Sequence, residues 1–144
     1  MKSKLFSIVL SSMILVSCND IKQEKSNLKI IETYFEHFNR HEWQQMAALY
    51  ADSVQMRDPS FGSKIVVQSR AEIETKYAQL AQIIPDVQDS IVNIYPSQQH
   101  YIVEFISTGT GPDGKKFELP ICTIFSVVKG KITRDYTYYD ETGN

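Results

Sequence analysis

The hydrophobic period of the chain changes at Pro85, and no other feature constrains the fold as strongly. Before it, apolar residues recur every three or four positions, the repeat of a helix face. After it they alternate, the repeat of a half-buried strand. Leu28, Ile31, Phe35 and Phe38 line a first helix that starts at Asn27 and is interrupted by Asn39-Arg40. Trp43, Met46, Ala47 and Tyr50 form the inner side of a second, short helix from about Glu42. "DSVQMRD" then reads as a short strand running into a turn at Pro59-Ser60-Phe61-Gly62. In Ser69-Arg70-Ala71-Glu72 the serine can cap a helix start and the glutamate can reach back, a capping box. The helix it opens carries Ile73, Tyr77, Leu80 and Ile84 and stops at Pro85. Ile91 to Tyr95, His100 to Ser107, Phe117 to Val128 and Lys131 to Tyr139 read as strands, joined by "PSQQ", "GTGPDG" and "KGK". Such short connections make antiparallel neighbours. The expectation is an α+β fold: three N-terminal helices packed on a curved, mostly antiparallel sheet, a cone whose interior is the default ligand pocket.

The first residues stand outside this pattern. Lys2 and Lys4 precede an apolar run, Leu5 to Val16, too short for a finished membrane span. Leu15-Val16-Ser17-Cys18 looks like a bacterial lipobox, in which the cysteine receives the lipid. Residues 1–17 are thus expected to be a lipoprotein signal peptide, residues 18–26 a polar tether from lipidated Cys18, and residues 27–144 the domain. Two or more acyl chains anchor a protein stably, so the expected place is the bacterial cell envelope. Without the leader and its two lysines, a chain of fifteen basic and seventeen acidic residues keeps an excess of four acids. That balance argues against nucleic acid as a partner. Cys122 is then the one thiol left, in the apolar run "PICTIF", and reads as a small hydrophobe.

Several motifs fail their structural context. "GTGPDG" matches G-x-G-x-x-G, but a strand follows it where a dinucleotide site needs a helix, so it reads as a hairpin loop. His37 and His41 lie four apart, yet Asn39-Arg40 breaks the helix between them and no third ligand is spaced to join them, so no metal is expected. Neither a G-x-S-x-G elbow nor a cysteine–histidine pair is present. The tyrosines are more informative. Tyr34, Tyr50 and Tyr77 fall on the inner faces of the three helices, and a buried phenol needs a partner for its hydroxyl. They are either three separate core tyrosines or one polar spot in an apolar interior. Asp58, ahead of Pro59, is a turn former or a base at the pocket lip. Asp140, at the end of "YTYYD", is a solvated strand end or a second acid at the pocket mouth.

"IETYFEHFNRHEWQQMAALYADSVQMRDPSFG", "SRAEIETKY" and "FSVVKGKITRDYTYYD", in that order, resemble the nuclear transport factor 2-like superfamily and its SnoaL-like branch. The resemblance spans about Leu28 to Asp140. The scaffold hosts isomerases, cyclases, dehydratases, epoxide hydrolases and binding modules, so fold alone does not fix function. By resemblance to bacterial ketosteroid isomerases, Asp58 is the base that takes a proton beside a carbonyl. Tyr34 then donates to the oxyanion, and Tyr50 and Tyr77 support it. The second acid of that oxyanion site falls near Ile121 or Cys122, neither of which can donate as a carboxylic acid does, and this weighs against the steroid reaction itself. Asp140 resembles an aspartate of limonene epoxide hydrolases, whose arginine and second aspartate have no match beyond Glu104. In a SnoaL-type cyclase either Asp58 or Asp140 could be the acid or base. A shift of one residue in the last strand turns Asp135 and Tyr139 inward instead.

The implied function is binding of a small, largely apolar molecule, with or without cofactor-free proton transfer by Asp58. That role calls for an Asp58 pKa raised by burial. Many members of the fold pair through the outer sheet face, so the resemblance also implies a homodimer. The alternative is a non-catalytic binding or interaction domain.

Overall fold

The computed structural model describes residues 22–62 and 64–140. The stretch expected to be a signal peptide, Cys18 and the start of the expected tether lie outside the described residues. Helix α1 covers residues 22–39, so the polar stretch 22–26, expected as tether, is helical. Those five residues are exposed and extend an existing ladder, for which each added residue gains a hydrogen bond without a new nucleus. Ile31, Tyr34, Phe35 and Phe38 form its buried face. Helix α2, Trp43–Ala47, ends before Tyr50, which opens strand β1, Tyr50–Arg57. Tyr50 is therefore a strand residue rather than a helix one, although its ring is fully buried as expected.

A 3-10 turn at Pro59–Phe61 leads to β2, Val66–Gln68, a three-residue strand that the hydrophobic pattern does not mark. Helix α3, Arg70–Ile83, begins with the expected capping box between Ser69 and Glu72. Strands β3 (Gln88–Ser97), β4 (His100–Thr110), β5 (Lys116–Val128) and β6 (Lys131–Tyr138) follow. The β4–β5 connection is the hairpin expected of "GTGPDG", closed by Gly111 N–H to the Lys115 carbonyl at 2.8 Å. Gly109 is part of β4. A Cβ there would lie 2.6 Å from Ile84 Cγ2 and 3.1 Å from the Phe117 ring. The glycine thus serves close packing.

The sheet order is β2-β1-β6-β5-β4-β3. All neighbours are antiparallel except β1 and β6, which run parallel with Met56 opposite Asp135. Register shifts in β3 between Ile91 and Asn93, and in β5 between Ser126 and Val127, bend the sheet as bulges do. The helices fill its concave side. Phe35, Phe105 and Phe125 meet edge to face there at 5.0–6.4 Å, and Tyr101, Val103, Val127 and Ile132 complete the core. Among the described residues no helix is long and apolar enough to cross a membrane.

Candidate functional site

Between α1, α3 and the concave sheet lies a cavity of about 450 Å³, within the range of small-molecule sites. Its wall is mostly apolar, with Phe38, Leu80, Ile84, Phe105, Ile121 and Phe125 among the lining residues. Polar groups reach it at three places, each set by the alternation of one strand.

The first is Asp58. Val54 and Met56 point inward from β1, and Asp58 continues that face at 9% exposure. Its Oδ1 accepts from Ser60 N–H at 2.8 Å, from Ser60 Oγ at 2.5 Å and from Tyr139 Oη at 3.1 Å. Its Oδ2 accepts from Lys76 Nζ at 2.6 Å. Asp58 is thus both a turn former, capping the 3-10 turn, and a residue of the cavity wall. The raised pKa expected of it is not found. Burial pushes the carboxyl up, but the Lys76 ammonium and the Ser60 hydrogen bonds outweigh burial and hold it below the ordinary carboxylate value.

The second place is a phenol network. Tyr34 and Tyr77 both line the cavity, and their hydroxyls are 3.2 Å apart. Behind them Tyr50 donates to Asp135 Oδ2 at 2.5 Å, and Thr137 donates to Asp135 Oδ1 at 3.1 Å. The tyrosines therefore form one polar spot. Burial, and next to it the Asp135 charge for Tyr34 and Tyr50 or the other phenols for Tyr77, push all three well above the usual phenol range. They stay protonated and serve as donors. Asp135 itself is 2% exposed and raised by burial, more than Tyr50 and Lys76 lower it.

The inward face of β6 carries Asp135 and Thr137, and Tyr139, just past its end, continues that face, so the last strand adopts the alternative register. Asp140 falls on the other side. It is exposed and is not among the residues lining the cavity, so the structure does not bring it together with Asp58 and Tyr34 as a second acid. Ile121 and Thr123 line the cavity from β5, whereas Cys122 points away and burial raises its thiol.

The third place is Asp89, missed in the sequence. It is 7% exposed, lines the cavity from the start of β3, and faces Ser107 across the strand pair. Among the described residues its Oδ1 has no hydrogen-bond partner. Burial lifts its pKa to about 7, with Ser107 lowering it. Lys76 was missed too, although it lies three residues past Ile73, on the buried side of α3. The histidines separate as expected. His37 Nδ1 bonds Glu42 at 2.6 Å, while His41 Nε2 donates to the Val87 carbonyl at 3.1 Å and its ring stacks on Trp43.

Three helices held in a curled six-stranded sheet, with one apolar cavity ringed by phenols and carboxyls, define the nuclear transport factor 2-like class. Solved structures agree in fold. A Catenulispora acidiphila protein with a ketosteroid isomerase-like fold, in complex with trimethylamine, superposes with a TM-score of 0.71 at 19% identity, over 78% of this chain and 86% of that one. The epoxide hydrolase/cyclase-like enzyme SalBIII, of pyran ring formation in the polyether salinomycin, gives 0.72 at 16% identity, over 83% and 94%. A nuclear transport factor 2-like protein from Anabaena variabilis gives 0.71 at 19%, over 82% and 92%. The SnoaL-like domain family matches residues 31–135, and the chain belongs to that family. No curated protein matches it.

Proposed function

We propose that the domain binds a small, largely apolar molecule in its cavity and holds the molecule's carbonyl oxygen at the Tyr34–Tyr77 pair. One observation carries this reading: two protonated phenols joined by a hydrogen bond in a mostly apolar wall. One O–H proton joins the pair, and the other is available to a ligand acceptor. A neutral hydrogen bond of this kind contributes about 0.5–1.5 kcal/mol, and the apolar wall supplies the rest.

The catalytic extension is proton abstraction beside that carbonyl, with Asp58 as base and Tyr77, whose hydroxyl accepts from Tyr34, donating to the developing oxyanion. Its support is that both residues line one cavity and that SalBIII, of similar fold, is described as epoxide hydrolase/cyclase-like. The Lys76 ion pair makes Asp58 a weak base, so binding is placed first and turnover second. Both readings are tested with small alicyclic ketones, watching Trp43 fluorescence for binding and deuterium uptake at the α-carbon for turnover. Tyr34→Phe combined with Tyr77→Phe should weaken ketone binding about tenfold, the loss of one hydrogen bond, while sparing the matching hydrocarbon. Equal affinity for ketone and hydrocarbon in the unmodified protein refutes the assignment. Exchange that persists in Asp58→Asn removes Asp58 as the base.

We also infer attachment to the envelope through a lipid on Cys18, supported by the Leu15-Val16-Ser17-Cys18 sequence, and pairing of two copies through the outer sheet face, where Val92 and Tyr95 are exposed. Acyl labelling that survives Cys18→Ser, or a monomer by sedimentation, overturns the respective statement.

A further inference from the structure

Among the described residues three carboxyls are buried, and their oxygens are treated differently. Both oxygens of Asp58 are filled, by Ser60 and Tyr139 on one and Lys76 on the other. Both oxygens of Asp135 are filled, by Thr137 and Tyr50. Asp89 is the exception: Oδ1 has no partner, although the residue is more than nine-tenths buried and lines the cavity. A buried acceptor left unmade costs about 1–3 kcal/mol, so a donor that fills it is favoured by that amount.

The surroundings say what kind of donor. Among the described residues the one cation lining the cavity is Lys76, and Asp58 holds it at 2.6 Å. The polar and titratable groups nearest Asp89 are Asn39 and Tyr34 from α1, Ser107 from β4 and His41 from the turn after α1. None of them is a cation held against the carboxyl: Ser107 is a hydroxyl that lowers its pKa without outweighing burial, and Tyr34 donates to Tyr77. Asn39 bonds the Asp89 backbone on both sides, at 2.7 and 2.8 Å, and His41 is held by the Val87 carbonyl. Farther round the cavity stand Tyr77 and Lys76 on α3, Asp58 after β1 and Asp135 on β6. Apart from Lys76 these add phenol or negative charge. Phe105, two residues before Ser107 on the inward face of β4, and Phe38, next to Asn39, line the same cavity. A buried carboxyl without a cation partner, beside aromatic rings, is the chemistry that recognises an organic cation, by charge-assisted hydrogen bond and by the negative ring faces.

We propose that Asp89 is the anchor for a protonated amine, so that the ligand of this cavity is a small amphiphile with a basic nitrogen at the Asp89 end. This rests on the cavity being the ligand site and adds the substrate class to it. An ammonium N–H donates to the Asp89 carboxyl where it meets the cavity, and the carboxyl becomes ionised, its proton passing to solvent. No covalent step is involved. Because binding requires the ionised carboxylate, apparent affinity follows the ionised fraction. With the carboxyl titrating at about 7, affinity is about tenfold lower at pH 6 than at pH 8.

The test compares 2-phenylethylamine with 2-phenylethanol, equal in size and different in charge, by calorimetry on the purified protein. The amine is expected to bind at least about tenfold more tightly at pH 8, to lose that preference toward pH 6, and to lose it in Asp89→Asn. If the two bind equally, or the preference is unchanged by pH or persists in Asp89→Asn, the amine assignment is overturned while the cavity stands as a binding site. If neither binds, both statements fall. The comparison within the unmodified protein decides the matter even if Asp89→Asn folds poorly.

Discussion

Replacing Asp89 by asparagine gives the sharpest test of the site's electrostatics, because the shape is kept and only the titration is removed. Asp89 is raised from an ordinary 3.8 to about 7 in the folded chain, chiefly by burial. A carboxyl raised on folding makes the native state hold a proton that the unfolded chain has already released. Stability therefore falls as pH rises from the ordinary carboxyl value through about 7, and is level above it. Between about pH 5 and about pH 7 that is two units at about 1.4 kcal/mol each, or about 3 kcal/mol lost to this one residue. Asp58 is lowered, so its contribution is lost only in more acid solution and does not enter this window. Asp135 is raised and adds a slope of the same sign, but it is present in both proteins and cancels in their difference. Urea denaturation followed by far-ultraviolet circular dichroism, at about pH 5 and about pH 8.5, measures both proteins with m-values compared as a control. The unmodified protein should lose about 3 kcal/mol more than Asp89→Asn between the two pH values. Parallel losses, within about 0.5 kcal/mol, would mean that Asp89 is solvated or already paired, and the amine anchor would lose its physical basis.

Tyr50→Phe removes the 2.5 Å hydrogen bond to Asp135 and should cost about 1–3 kcal/mol in the same denaturation assay. The cost should grow in alkaline buffer, because Asp135 then loses a group that lowers its raised pKa. A pH-independent change refutes the network. Gly109→Ala drives a Cβ to 2.6 Å from Ile84 Cγ2 and 3.1 Å from Phe117 and should destabilise by about 1–3 kcal/mol through overpacking. An unchanged thermal midpoint would show that the contact yields freely.

The change of period at Pro85 was enough for the architecture, because helices and sheet faces repeat at 3.6 and 2 whatever their partners are. Local chemistry placed the Ser69 cap and the hairpin at Gly109 to Gly114. Elements and residues defined by partners far away in sequence were not legible. β2 exists because β1 offers it an edge, with Val54 opposite Gln68. Tyr50 was read as helical because its spacing from Met46 suits a helix, while the pairing with Ile132 that makes it a strand residue lies outside any local window. The tyrosines could be found as inward positions, but their acid was left open by one residue of register: the pairing of β6 with β5, Asp135 opposite Phe125, settles that Asp135 is buried. Asp89 carries a signal in hindsight, since it follows Val87 at a spacing of two, on the same buried face. Starting the strand at Ile91 hid it. Lys76 likewise shares its helix face with Ile73 and Leu80, where a lysine reads as a surface residue until Asp58 is seen opposite.

The parallel seat of β1 beside β6 sets an order of assembly. Tyr50 and Asp135 are 85 residues apart in the chain yet share one hydrogen bond, and no contact nearer in sequence can substitute for it. The hairpins of β3 to β6 close locally, whereas β1 has no parallel neighbour until the last strand has been made. Contacts of such separation slow folding, since loop closure must be met before they form. Tyr50 and Asp58 each take a partner from the chain's last stretch, Asp135 and Tyr139. A chain cut short before Lys131 would keep the Tyr34–Tyr77 pair but would lack the acceptor of Tyr50 and one donor to Asp58.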